Sequence, residues 1–313
     1  MAELKFLNAL RVTASQIQDD TRSFISRAYK RANTVFTDAS PYAQIINVLT
    51  EIGELLMFYI EDATVEQNIY TAQQPESIYG LSRLTGHDAT RGHAAFGELK
   101  LRWKPGADFS KIIGPNIVID GRAELTISTN GLTYTLLTNR DAFRLDKSNN
   151  SYLTIPFIQG KFEKQTLTSS GAALQSFNIK PGQDLTDHDR VVVFVNGEQW
   201  TKHVSLYDMQ ANEKAFMVKT AIAGGLDIYF GNENFGMIPP AGAQIEVEYV
   251  KHQGLKGNLV DASGIQVAWI SEGSDAQGSP VKLDEYLDVT ITSAPKMGAD
   301  RESTQFTKIL TPM

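Results

Sequence analysis

A change of hydrophobic period near His93 constrains this fold more than any other feature of the sequence. Apolar residues recur every three to four positions before this point and alternate with polar residues after it. The first spacing places side chains on one face of a helix, and the second places them on one face of a strand. The sequence therefore predicts an α+β, mostly β protein, with an N-terminal helical region followed by two antiparallel β domains.

Three helices are predicted in the helical region. Thr13 and Gln16 form a capping-box pattern at the start of the first helix. Residues 33–40 are typical of a break between the first and second helices. The third, short helix is expected over residues 75–85, with a proline at its start and a glycine after its end.

The second predicted helix has an unusually broad apolar surface. It begins at Pro41 and its pattern extends to about Tyr70. Two apolar faces require two neighbours. The first helix can supply one, and either a partner chain or the protein's own β domain supplies the other. The residues predicted to contact a partner are Ile45, Ile46, Leu49, Ile52, Leu56 and Tyr59, while Val48, Leu55, Met57 and Phe58 lie off that row.

The β region is predicted from alternation and from turn residues. Leu226–Phe230 and Ile245–Val250 alternate apolar with polar side chains, as half-buried strands do. Asn130-Gly131 and Asn196-Gly197 are strong signals for two-residue hairpins. Strands at this density, without helical patterns between them, favour antiparallel sandwiches or barrels.

Four segments are predicted along the chain. Residues 1–90 form the helical region, 91–180 the first β domain and 181–258 the second. Residues 259–313 supply return strands and a C-terminal extension. Division at these points follows the changes of period and the glycine- and proline-rich connections.

Composition excludes several classes of function. The net charge of −7 argues against a surface that coats nucleic acid, which needs a basic excess. The absence of cysteine excludes a disulfide framework and a cysteine-ligated zinc. The longest apolar run, Leu55–Ile60, is far shorter than the roughly 20 residues that span a bilayer. We therefore expect neither nucleic-acid binding nor membrane insertion.

No catalytic, cofactor-binding or metal-binding motif is predicted. The five histidines lack HxxxH and HExxH spacing. Asp184–Asp189 combines three carboxylates with His188, and we favour a solvated loop over a cation site there. Gly231–Gly236 is interpreted as a hairpin connection, and Gly86–Gly92 lacks the Gly-Lys-Ser/Thr ending of a phosphate loop. The sequence therefore predicts a protein without a cofactor that is not an enzyme.

Three stretches stand out by the order of their residues. One is the helical run Glu76–Gly86, followed by Arg91, Ala94-Ala95 and Gly97. Another is Ala294–Ser303, which reads APKMGADRES. The longest comprises, in order, Val195-Asn196-Gly197, Trp200, Ser205-Leu206, Tyr229-Phe230-Gly231, Gly236, Ile238-Pro239, Gly242, Ile245, Val247, Tyr249, Gly254 and Gly257-Asn258.

In their order and spacing these stretches resemble the baseplate J-like family, the wedge proteins of contractile-tailed bacteriophages and related injection machines. The resemblance covers residues 40–313. Ala299 stands where the family tends to have the second glycine of a pair. Many members also continue into a C-terminal domain that helps to close a ring, and this sequence stops before such a domain.

The resemblance implies a scaffold. Family members assemble as two copies with a third wedge protein, their N-terminal helices pair in a core bundle, and their β domains surround the tail tube. The expected partners are other baseplate wedge proteins, further copies of this chain and neighbouring sheath or hub components. The expected location is the virion tail baseplate, after assembly in the host cytoplasm. The alternatives are a receptor- or glycan-binding tail protein and a tail-associated glycan hydrolase.

Overall fold

The fold is that of a computed structural model, which describes residues 14–28, 41–138, 141–148, 151–182, 184–222, 224–262 and 264–311. Because 36% of the residues are in strands and 23% in helices, the protein is α+β and mostly β, as the sequence predicted. The chain divides into two compact units. One comprises residues 1–87 with 307–313, and the other comprises residues 88–306.

The helical unit contains the three helices expected from the sequence. They are α1 (Ala14–Ala28), α2 (Pro41–Glu66) and α3 (Pro75–Leu84). The predicted cap at Thr13 and the break at residues 33–40 lie outside the described residues. α2 ends at Glu66, earlier than predicted, and the Glu66 carboxylate accepts hydrogen bonds from the backbone N–H groups of Gln73 (2.8 Å) and Gln74 (3.2 Å). These bonds hold the turn that leads into α3.

The second unit is built from strands, with one short α-helix near its end. The strands are β1 (Phe96–Trp103), β2 (Asn116–Ile119), β3 (Glu124–Ile127), β4 (Thr133–Leu136), β5 (Phe143–Asp146), β6 (Leu153–Gln159), β7 (Lys161–Thr168), β8 (Ser176–Ile179) and β9 (Leu185–Val195). They continue with β10 (Glu198–Gln199), β11 (Thr201–His203), β12 (Ala215–Thr220), β13 (Leu226–Phe230), β14 (Gln244–His252), β15 (Val267–Trp269), β16 (Gly273–Ser274), β17 (Pro280–Val281) and β18 (Leu287–Lys296). The helix α4 (Leu283–Tyr286) lies in this unit, whereas α5 (Thr304–Leu310) begins in it and ends in the helical unit.

The first β core is formed by strands from two distant parts of the chain. Its sheets have the orders β15-β3-β4-β6-β1-β18 and β17-β16-β2-β5. Alternate side chains of these strands point inward, and Leu99, Leu125, Tyr134 and Phe157 are fully buried. Residues from β15 onward therefore return to pair with the first strands of this unit. A hairpin at Asn130-Gly131 connects β3 to β4, but residues 128–132 separate the two strands, so the prediction of a two-residue turn is wrong there.

The second β core is enclosed by two further four-stranded sheets, β10-β9-β14-β7 and β11-β12-β13-β8. Val193, Ile228, Phe230 and Ile245 are buried between them. Among the described strands one pairing is parallel, that of β11 with β12, so the prediction of purely antiparallel domains is wrong at this point. The hairpin predicted at Asn196-Gly197 connects β9 to β10.

The glycine-rich connection after β13 does not form the expected hairpin. β13 pairs with β12 and β8, whereas β14 pairs with β7 and β9. Residues 231–243 therefore carry the chain from one sheet to the facing sheet. Alternation showed that both strands are half buried, but period alone does not specify which strands pair.

The chain passes from the first core to the second at Gly160, earlier than the boundary at residue 180 expected from the sequence. β6 pairs within the first core, and β7 pairs with β14 of the second. Gly160 joins them with φ of +120°, and a Cβ atom there would lie 2.0 Å from the carbonyl oxygen of Lys251. Only glycine fits both the conformation and the space.

We expect Gly160→Ala to destabilise the β unit by more than about 2 kcal/mol, because the strained backbone and the steric conflict act together. Gly131→Ala is the matched control. Gly131 also has a positive φ, +66°, but a Cβ atom there meets nothing within 4 Å. Its cost should stay near 1–2 kcal/mol. Urea unfolding of both variants measures the difference, and equal costs would show that the close approach to Lys251 contributes nothing.

Candidate partner-binding surface

One side of α2 packs against α1 within the helical unit. Ile46 and Thr50 are buried, and Gly53 shares their face because the three positions are spaced by four and three residues. A Cβ atom at Gly53 would lie 3.5 Å from the Cδ1 atom of Ile17 on α1. The hydroxyl of Thr50 donates to the carbonyl oxygen of Ile46 at 2.8 Å, so the packed side contains no unpaired hydroxyl at that position.

A row of large apolar side chains on the neighbouring side of α2 is exposed. Their relative exposures are 57% for Ile45, 58% for Leu49, 48% for Ile52, 56% for Leu56 and 59% for Tyr59. Spacings of four, three, four and three residues are those of a coiled-coil seam. We call these five residues the exposed row. Each is large enough that burial would be strongly favourable, at about 1.5–3 kcal/mol.

Ile46 departs from the prediction that grouped it with this row. Its exposure is 5%, and it lies on the side packed against α1. The sequence grouped Ile45 with Ile46 because adjacent apolar residues both fit a broad stripe. Packing separates them, since successive positions on a helix point about 100° apart. Ile46 therefore belongs to the contact between α1 and α2.

A second set of apolar side chains on α2 is also exposed. Val48 is 54% exposed, Leu55 53% and Phe58 61%. These positions lie beyond the exposed row on the side away from Ile46. Phe58 and Tyr59 contact each other edge to face, with ring centroids 5.9 Å apart. The uncovered apolar surface is thus wider than the stripe of an ordinary surface helix.

The charged residues of α2 have one sign. Glu51, Glu54, Glu61, Asp62 and Glu66 are acidic, and Pro41–Glu66 contains no lysine, arginine or histidine. Glu51, Glu54 and Asp62 are exposed, and within the described ranges no side chain forms an ion pair or a hydrogen bond with them. Glu51 and Asp62 share a face with Leu55 and Phe58, because the four positions are spaced by four, three and four residues. The exposed row lies beside this face and contains no charged residue.

In the part of the chain that the structure describes, no helix is both long enough and apolar enough to cross a membrane, and this includes α2. Nor do the described residues contain a group of three or more histidine, cysteine or acidic side chains placed to hold a metal ion.

The segment Asp184–Asp189 was expected to be a solvated loop, but from Leu185 onward it forms the start of β9. Asp187 is fully buried, and its carboxylate accepts hydrogen bonds from the backbone N–H groups of Ala94 (2.9 Å), Asp189 (3.0 Å) and Arg190 (2.9 Å). This carboxylate connects the segment before β1 to the start of β9. Local sequence gave no signal for it, because Ala94 and Asp187 are 93 positions apart.

Two opposing effects act on the pKa of Asp187. Burial raises it, but the backbone donors, led by Ala94, and the charge of Arg190 outweigh burial, so the pKa lies below its ordinary value of 3.8. The Asp187 carboxyl group is therefore ionised at neutral pH.

Because the pKa of Asp187 is lower in the folded state, its contribution to stability is present above about pH 4 and is lost as the pH falls through the folded-state value. We expect the free energy of unfolding of Asp187→Asn to lie about 2 kcal/mol below that of the natural chain at pH 7. The gap should narrow below about pH 4. Urea unfolding from pH 7 to pH 2.5 measures it, and a gap that widens on acidification would contradict the assignment.

No protein-family model matches the chain, and no curated protein matches it.

Proposed function

We propose that this protein is a structural subunit of a phage tail baseplate wedge. In this proposal α2 packs in a helical core bundle with partner wedge proteins and with further copies of the chain. The β cores link wedges around the tail tube. The observation that carries the proposal is the exposed row of α2, which needs neighbours that α1 does not supply.

The physical argument for a scaffold is independent of the resemblance. Five large side chains in coiled-coil register, each about half exposed, favour association through helix packing. The described residues present no metal cluster, and the sequence has no nucleophile motif, so nothing in them supports catalysis. The resemblance to the baseplate J-like family then supplies the kind of assembly in which such a helix would be covered.

A second candidate function, glycan binding, is favoured by one exposed aromatic pair. Tyr207 is 84% exposed and Phe235 is 39% exposed, and their rings meet edge to face with centroids 5.5 Å apart. The side chain of Asn232 accepts a hydrogen bond from the N–H of Phe235 at 2.9 Å, and Glu233 is exposed beside it. An aromatic surface with adjacent polar groups suits a sugar ring.

Two experiments separate the candidates. Electron microscopy of tail particles that carry a labelled copy of this chain should place the label at the baseplate, close to the tail tube. A glycan array probed with the purified chain tests the second function. Specific binding that is lost in Tyr207→Ala favours a receptor-binding protein, and a label absent from the particle would overturn the scaffold proposal.

A further inference from the structure

A cavity of about 310 Å³ lies beside the second β core, and its lining residues all belong to the unit that comprises residues 88–306. It opens where the segments that flank β8, β9 and β12 approach the residues after β18. Such a volume holds several water molecules and is at the lower end of the range for small-ligand sites. Its charged and polar lining comprises Arg91, Lys180, Asp184, Thr186, Thr220 and Arg301.

The charges that line this cavity are predominantly positive. Arg91, Lys180 and Arg301 contribute three cations, and Asp184 contributes one carboxylate. Lys180 and Asp184 are exposed at the rim, whereas Arg91 is 3% exposed. A ligand that enters therefore meets more cations than carboxylates in the lining itself, including a buried guanidinium, while further carboxylates lie near Arg91 outside the lining.

Buried donors in the lining lack acceptors. The Nη2 atom of Arg91 donates to the carbonyl oxygen of His188 at 2.6 Å, but its Nε and Nη1 atoms have no acceptor among the described residues. The hydroxyl of Thr186, which is 2% exposed, has no partner there either. Buried polar groups without partners cost free energy and call for a bound water or ion.

Arg91 remains a cation in this setting. Burial lowers the pKa of its guanidinium, and nearby carboxylates, of which Asp88 has the largest effect, act to raise it. Arginine is not deprotonated in proteins at neutral pH. None of these carboxylates accepts a hydrogen bond from Arg91, so its free N–H groups keep their capacity to bind an acceptor.

We infer that this cavity binds a small oxyanion, either a phosphate or a carboxylate. Oxygen atoms of such a group accept from the guanidinium and from the Thr186 hydroxyl, and the charges of Lys180 and Arg301 stabilise its negative charge. Asp184 opposes binding by repulsion. The site is independent of the proposed scaffold role.

The test is isothermal titration calorimetry of the full chain with sodium phosphate and, separately, with sodium acetate at constant ionic strength. Lys180→Gln should weaken binding about threefold to fivefold, and Asp184→Asn should strengthen it about twofold or more, as expected for charges near a surface. Arg91→Gln should abolish binding. Lys180 and Asp184 are exposed, so we expect their variants to fold. Their anion affinities therefore test the site even if Arg91→Gln fails to fold.

Lys164→Gln is the matched control, because Lys164 is exposed on β7 and does not line the cavity. Binding of phosphate but not acetate assigns a tetrahedral oxyanion. Binding of acetate but not phosphate assigns a carboxylate, such as an acidic side chain of a neighbouring subunit. Absence of binding by either anion, or equal weakening by Lys164→Gln, overturns the site and leaves a cavity filled by water alone.

Discussion

Replacing Leu49 and Leu56 with aspartate is expected to prevent assembly of the chain with its partners. Both side chains lie in the exposed row, at 58% and 56% exposure. Their burial in a helix contact would contribute ~1.5–3 kcal/mol each. An aspartate at either position would also place an unpaired charge in an apolar seam. Together the changes should lower the association constant by at least about 100-fold, since each 1.4 kcal/mol is a factor of ten.

Co-expression with the other baseplate wedge proteins and affinity purification measure this loss. The isolated double variant should unfold within about 0.5 kcal/mol of the natural chain, because neither leucine is buried in it. Asn47→Asp with Thr64→Asp is the matched control, which adds two negative charges at exposed polar positions of the same helix. Co-purification of the leucine variant at the natural yield would rule out the exposed row as the contact.

Removing the Asp187 carboxylate is expected to destabilise the β unit strongly. Asp187→Ala leaves the buried N–H of Ala94 without its acceptor and withdraws two further bonds from the start of β9. Unpaired buried donors cost about 1–3 kcal/mol each. We expect the free energy of unfolding to fall by about 3–5 kcal/mol in urea titration at pH 7.

Asp189→Asn is the control for that experiment. Asp189 lies two positions along the same strand, and its side chain is 66% exposed. Its loss should change stability by about 0.5 kcal/mol or less. Similar effects at the two positions would mean that net charge, and not the hydrogen bonds of Asp187, determines the stability of this junction.

Patterns within single elements predicted much of this fold. The periods of three to four and of two residues identified α2, α3, β1 and β14, because local geometry determines which side chains share a face. Residue types with a defined backbone preference predicted the positions of both asparagine-glycine hairpins, although only the one at Asn196-Gly197 has the expected two-residue turn. These features could be predicted because each depends on residues that lie close together in the chain.

Features that depend on contacts between distant parts of the chain could not be predicted from the sequence in the same way. The passage between cores at Gly160 depends on the approach of Lys251, and the role of Asp187 depends on Ala94. β7 escaped prediction because, as a strand with mostly polar residues, it lacks a strong alternating pattern. For the candidate site, sequence predicted five of the exposed residues on α2 but placed Ile46 with them, since periodicity does not reveal which side a neighbouring helix covers.

Hydroxyl-radical footprinting of the free chain and of the assembled tail tests most directly whether neighbours cover α2. Leu49, Leu56 and Tyr59 should be labelled strongly in the free chain and be protected in the particle. Val260, which is 96% exposed, lies outside the helical unit and serves as the internal reference. Equal labelling of the three residues in both states, with the chain shown to be present in the particle, would contradict the account.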